Sequence, residues 1–236
     1  MSTMKSIADR CINLFTEPTN ELKDVRNDLS WSWAFWSQII FGLVLVIAWS
    51  QRVDWLALTE NAMLSRGGGF GGEGFSAEGL ERAVDFQEKW GMTFGIMGVL
   101  IGTPVATFLS AAVYWGIGRA SFITPESPSY QHALVVASYS GFVLTPKTFL
   151  ATLFCFIQPV GGLSPERLSP TTLSFWMDPE NSKLKTLFLY IDPFSIFSLC
   201  IVYWGSIHVM GTSKKGAVMA TLIPVLLIAL RVYFAR

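Results

Sequence analysis

Lys147 is the residue of this sequence whose position most suggests chemistry, because it follows Pro146 in the middle of a long apolar run. If that run crosses a membrane, a central lysine costs about 2.5–3.5 kcal/mol on insertion scales. Proline removes a helix hydrogen bond and frees a carbonyl that an ammonium group can reach. Two interpretations follow: a cation that binds cargo or a coupling ion in a wet cavity, or a structural lysine. A structural lysine would snorkel or pair inside the bundle, with Asp192 or a tyrosine such as Tyr139 as partner, and Lys147→Met would then fold normally.

Other residue types that carry chemistry are sparse. His208 lies near the end of another apolar run and His132 at the start of the run that holds Lys147, and we interpret both as interfacial polar residues. The sequence contains no His/Cys/Asp cluster at metal-ligand spacing and no nucleophile–base set. Its cysteines are dispersed and form neither a disulfide framework nor a CxxC motif: Cys11, Cys155 and Cys200. We therefore expect no enzyme activity, catalytic residue, metal or cofactor, with Lys147, Tyr139 and His208 as the candidate functional polar residues.

A glycine-rich run, Gly67–Gly72, is the only segment that resembles a phosphate-binding loop. No Gly-Lys-Ser/Thr follows it and no strand pattern precedes it, so that function is excluded. A flexible linker is the expected structure.

A second glycine pattern lies in an apolar segment, at i, i+4, i+7 and i+11: Gly91, Gly95, Gly98 and Gly102. Glycines on one face let helix backbones approach closely in a membrane. We expect this face to pack against other helices of the same chain, with self-dimerisation as the alternative. Leucine at Gly98 or Gly102 would then force the helices apart.

Composition identifies the environment that must position these residues. Hydrophobic residues make up 51% of the 236 residues and charged residues only 14%, with a formal net charge of zero. Soluble domains carry about 25% charge, and a neutral chain offers no basic surface for nucleic acid. Apolar runs near 20 residues predict an all-α, polytopic membrane bundle of five spans, about 31–49, 92–118, 133–157, 194–210 and 217–234. They make up a transmembrane domain over residues 31–236.

Residues 1–30 form a separate, polar segment. Its apolar residues Ile7, Cys11, Leu14 and Phe15 fall on one helical stripe, and Thr16 is placed to cap a second helix. Two short amphipathic helices should either lie on the cytoplasmic membrane face or cover the ends of the spans. Basic residues in the N-terminal segment and short loops favour a cytoplasmic N-terminus and an extracytoplasmic C-terminus.

Several segments resemble the Yip1-domain family. Phe15–Leu22 is similar to the family's segment ahead of the first span, and Tyr139–Pro146 to its third-span tyrosine and proline. Ile191–Ile228 resembles the last two spans, with an Asp-x-Phe start, a Trp-Gly and a Ser-Lys-Lys turn. The resemblance implies a five-span protein with a cytoplasmic N-terminus and no catalytic site. Residues Asn27–Ser30 depart from the Asp-Leu-x-Gly-Pro motif of eukaryotic members, which argues against a small GTPase as partner.

The resemblance also implies a role in binding. We expect a scaffold, adaptor or accessory subunit that associates with the lipid bilayer and with other integral membrane proteins. The alternative is a transporter, channel or lipid-handling subunit that uses Lys147. The expected location is the bacterial inner membrane, with the ER or Golgi membrane as the alternative.

Overall fold

A computed structural model describes residues 6–65, 77–124, 127–177 and 181–234. Every regular element in these residues is helical and none is a strand, which confirms the all-α fold class. The α-helices are α1 (Ile7–Thr16), α2 (Pro18–Asp28), α3 (Ser32–Ser50), α4 (Trp55–Ser65), α5 (Ala77–Met97), α6 (Thr103–Ser121), α7 (Tyr130–Phe142), α8 (Thr145–Ile157), α9 (Leu173–Trp176), α10 (Ser182–Phe188), α11 (Pro193–His208) and α12 (Lys214–Phe234). The Gly67–Gly72 run lies outside the described residues.

Four helical stretches are long and apolar enough to cross a membrane: Ser32–Ser50, Glu78–Ser121, Tyr130–Ile157 and Lys214–Phe234. They coincide with four of the five predicted spans. The predicted span at about 194–210 corresponds to α11, an apolar helix of only 16 residues. At 1.5 Å per residue this helix is about 24 Å long, less than a bilayer core of about 30 Å. Four of the five predicted spans therefore correspond to long apolar helices, and the fifth, over α11, stays a prediction.

The second stretch, Glu78–Ser121, is far longer than its prediction. It consists of α5 from Glu78 onward, a π-helical turn at Gly98–Gly102 and α6, 44 residues in all. Its first turns carry most of its charged residues, so the hydropathy pattern marks only the part from about Met92 onward as a span.

A helix break precedes the lysine singled out by the sequence. α7 ends at Phe142, where the Val143 and Leu144 amides bond back to the carbonyls of Tyr139 and Gly141 at 3.2 and 3.0 Å. Pro146 then falls in the first turn of α8, where its missing N–H would have no intrahelical partner. The proline therefore starts a new helix, and Lys147 lies in that first turn.

The chain divides into two compact units. Unit 1 combines Met1–Gln38, Thr103–Leu144 and Phe194–Leu227, and unit 2 combines Ile39–Gly102, Thr145–Pro193 and Ile228–Arg236. The core of unit 1 contains residues of α1, α2, α6, α7, α11 and α12. A smaller core in unit 2 is built around Trp49, Val53 and Cys155.

The first two helices are part of the unit 1 core. Leu14, Leu22 and Val25 are completely buried there, and the ring of Phe15 stacks on Phe197 of α11 with centroids 5.7 Å apart. This packing agrees with the interpretation in which the N-terminal helices cover the spans. By contrast, Ile7 of the predicted stripe stays 59% exposed.

The boundary between these two helices differs from the prediction. Thr16 is the last residue of α1, and its hydroxyl donates to the Ile12 carbonyl at 3.0 Å. Glu17 occupies the N-cap position of α2, with Pro18 as the first helical residue. The prediction that Thr16 caps the second helix is wrong, because Thr16 is the last residue of α1 and Glu17 takes the N-cap position of α2.

Candidate functional site

Lys147 forms an ion pair inside unit 2. Its Nζ lies 2.9 Å from Oδ2 of Asp192 and donates to the Leu189 carbonyl at 3.2 Å. The Asp192 side chain is completely buried, and that of Lys147 is 20% exposed. The first turn of α8 presents the lysine, and the residue before α11 presents the carboxylate. Of the two partners considered from the sequence, Asp192 is the one that Lys147 contacts.

This geometry neutralises the lysine within the chain. An ammonium group has three N–H donors, and here a carboxylate and a carbonyl accept two of them. Asp192 thus acts as the counter-ion of Lys147. The arrangement can hold α8 against the segment leading into α11 while avoiding an unpaired charge.

Tyr139 belongs to a second buried polar cluster, in unit 1. The Trp33 indole N–H donates to its hydroxyl at 3.2 Å, with the two rings in edge-to-face contact. The charge of Arg10 in α1 also acts on the tyrosine. α7 therefore supplies a tyrosine that contacts α3 and lies near the buried arginine of α1.

Arg10 is the centre of this cluster. Its guanidinium donates to Asp28 and forms an ion pair with Glu21, with Nη1 3.6 Å from Oε1. The Arg10 side chain is 9% exposed and that of Glu21 is not exposed at all. Burial lowers the pKa of Arg10, but its hydrogen bonds to Asp28 and Tyr139, with their charges, more than offset this and raise the pKa above its usual value. The arginine is therefore a permanent cation.

Sequence reasoning missed Arg10 and Glu21. A signal was present, because Arg10 lies three residues after Ile7 and four before Leu14, on the stripe interpreted as apolar. Glu21 similarly lies four residues before the buried Val25. Charges in register with an apolar stripe indicate a buried pair or network, provided that a partner exists elsewhere in the chain.

The two histidines lie apart from these clusters. His208 ends α11, half-buried, and the charge of Lys23 acts on its imidazole. His132 lies in the first turn of α7, where its Nδ1 accepts from the Ser129 amide at 3.2 Å. In the described part of the chain, no three His, Cys, Asp or Glu residues form a group that could hold a metal ion.

The four glycines divide into two pairs. A Cβ at Gly91 would collide with the Trp55 ring, and one at Gly95 would lie 2.7 Å from Cγ1 of Val46. These two positions allow close packing within unit 2. A Cβ at Gly98 or Gly102 would have no neighbour within 4 Å. These two positions fall on the π-helical turn, and packing against another helix of the chain stays a prediction there.

The Lys147 ion pair leads to a stability prediction. We expect Lys147→Met to lower the free energy of unfolding by about 3 kcal/mol, because it removes the cation beside a buried carboxylate. This revises the expectation that Lys147→Met folds normally, which took no account of Asp192. The double variant Lys147→Met/Asp192→Asn should recover most of the loss, since neither charge remains. Unfolding in detergent micelles measures both, with Lys183→Met, an exposed lysine of unit 2, as control.

Simple additivity would contradict this account. If the double variant loses as much stability as the sum of Lys147→Met and Asp192→Asn, the two side chains do not act as a pair.

Comparison with known proteins identifies the family. No curated protein and no solved structure matches the chain. The family model of the Yip1 domain matches residues 12–235, nearly the whole length. The match includes Tyr139, Lys147 and Asp192 and all four candidate spans. The chain is an integral membrane protein and belongs to the Yip1 domain family.

Proposed function

We propose that this protein is a non-enzymatic membrane adaptor or accessory subunit that binds other integral membrane proteins. The observation that carries the proposal is the pairing of the cation in the third predicted span: Lys147 has Asp192 at 2.9 Å and the Leu189 carbonyl at 3.2 Å. A cation that binds cargo must exchange its partners for the cargo during each cycle. A cation held by two protein acceptors instead serves the packing of the bundle.

The exposed surface of the spans supports a binding role. In the most apolar window of Glu78–Ser121, and in that of Lys214–Phe234, only 11% of the residues are buried inside the chain. These faces are available to lipid and to the helices of a partner. Gly98 and Gly102 lie on one of them, where a partner helix can approach the backbone closely.

The proposed topology has five spans, with α11 as the fourth. A helix of about 24 Å can cross if the bilayer thins locally or if flanking residues reach the interface, each at a modest cost. The N-terminus is then cytoplasmic and the C-terminus extracytoplasmic. The proposed location is the bacterial inner membrane, since the chain lacks the eukaryotic motif ahead of the first span.

One observation favours a second candidate, a transport or lipid-handling subunit. The Lys147 side chain keeps 20% of its surface exposed, so water or an anion could reach it. In that function the Asp192 pair would open during each cycle.

A reporter experiment tests the topology. A reporter fused after Arg236 should report the extracytoplasmic side, and one inserted in the turn before Lys214 should report the cytoplasm. The reason is that α12 crosses the membrane once between these points. If both reporters lie on the same side of the membrane, the five-span topology is wrong.

Partner capture tests the adaptor function. Cross-linking in native membranes, followed by purification and mass spectrometry, should recover defined integral membrane proteins. Gly98→Leu should reduce this recovery at least severalfold while leaving the thermal stability of the isolated protein unchanged, because no atom of the described residues lies within 4 Å of a Cβ at that position. Gly95→Leu is the matched variant that should lower stability, since Val46 lies against that position.

The opposite pattern would favour transport. If no partner is recovered, and liposomes containing the purified protein alone show solute flux that Lys147→Met abolishes, the adaptor function is wrong.

A further inference from the structure

Backbone hydrogen bonds join the end of α6 to the turn that precedes α12 in unit 1. The Ser213 amide donates to the Ser121 carbonyl at 2.9 Å, and the Ile123 amide donates to the Gly211 carbonyl at 3.0 Å. Gly211 has a φ of +67°, a left-handed conformation that favours glycine and turns the chain sharply between α11 and α12. These bonds bring the termini of two candidate spans to one place.

Three exposed cations lie at this junction: Arg119, Lys214 and Lys215, together called the basic rim. Arg119 lies two residues before Ser121, and the two lysines follow Ser213 directly. The hydrogen bond between the Ser213 amide and the Ser121 carbonyl therefore holds the backbone of Arg119 near that of the two lysines. The last turn of α6 and the first turn of α12 contain no acidic residue.

Cations and carboxylates of α2 also belong to unit 1. Lys23 is exposed and its charge acts on His208, three residues before Gly211. Of the α2 carboxylates, Glu21 and Asp28 are engaged by Arg10, while Asp24 is exposed. The last turn of α6 and the first turn of α12 together carry three positive charges and no negative charge.

Aromatic side chains indicate the depth of the basic rim in the membrane. The Arg119 guanidinium lies over the Trp115 ring, 5.5 Å from its centroid, and Tyr130 of α7 meets the same ring edge-on at 6.3 Å. Tryptophan and tyrosine at span ends favour the level of the lipid headgroups. The basic rim thus lies where lipid phosphates are found.

We propose that the basic rim binds the headgroup of an anionic phospholipid. A guanidinium can donate two parallel hydrogen bonds to a phosphate, and the two lysines add point charges without a competing carboxylate in their helix turn. Each Lys or Arg near an anionic membrane surface adds about fivefold to the affinity. The site requires no second protein, and it is independent of the proposed adaptor function.

Lipid titration of the full-length protein tests this site. Native mass spectrometry in detergent should detect tighter binding of phosphatidylglycerol than of phosphatidylcholine. The variant Lys214→Gln/Lys215→Gln should weaken phosphatidylglycerol binding roughly 20-fold. The matched control Lys183→Gln/Lys185→Gln, with the same loss of charge on α10, should leave it within about twofold of the wild type. Lys214→Arg/Lys215→Arg should retain binding, which separates charge from misfolding.

Three results would overturn the proposal. One is equal binding of the two lipids. Another is an equal loss in the test and control variants, which would indicate unspecific attraction. The third is displacement of the lipid by inorganic phosphate or glycerol 3-phosphate, which would assign the basic rim to a soluble anion.

Discussion

A charged side chain that is removed from water needs a partner of opposite charge, and each compact unit of this chain contains such a pairing. In unit 1, Arg10 binds Asp28 and Glu21 and reaches Tyr139. In unit 2, Lys147 binds Asp192. Arg10 engages two helices besides its own, and Lys147 joins segments far apart in sequence. The pairs therefore fix which elements must pack together, and leucine and valine contacts fill the space around them.

The Arg10 cluster gives the N-terminal helices a structural role. α1 and α2 carry polar sequences that could belong to a loose cytoplasmic segment, yet Leu14, Leu22 and Val25 are completely buried in the unit 1 core. Breaking the cluster would remove the Arg10 charge from beside the buried Glu21 carboxylate, so detachment of these helices is costly. The same logic underlies the proposed adaptor function: the charges serve the packing of the bundle, and the outer faces of the spans are left for binding.

Periodicity and composition predicted what depends on local sequence. The long apolar runs predicted α3, α8 and α12, whereas Pro146, interpreted as lying inside one continuous helix, instead falls in the first turn of α8. Pairings over long sequence distances could not be predicted, because the spacing of Arg10 in α1 says nothing about the position of Tyr139. The same limit explains the four-glycine face, where a Cβ at Gly95 would contact Val46 but one at Gly98 would have no neighbour within 4 Å among the described residues. Periodicity and composition did not indicate the family. The similarity of Ile191–Ile228 to the last two spans of the Yip1 family did.

Hydrogen–deuterium exchange of the purified protein tests most directly whether buried charge pairs hold the N-terminal helices in the bundle. Slow exchange is predicted for the amides of α1 and α2, comparable to that of α7, because these helices share one core. Arg10→Gln should accelerate exchange in α1 and α2 while α12 keeps its protection. Complete exchange of α1 and α2 at the shortest labelling time, with α7 still protected, would contradict the account.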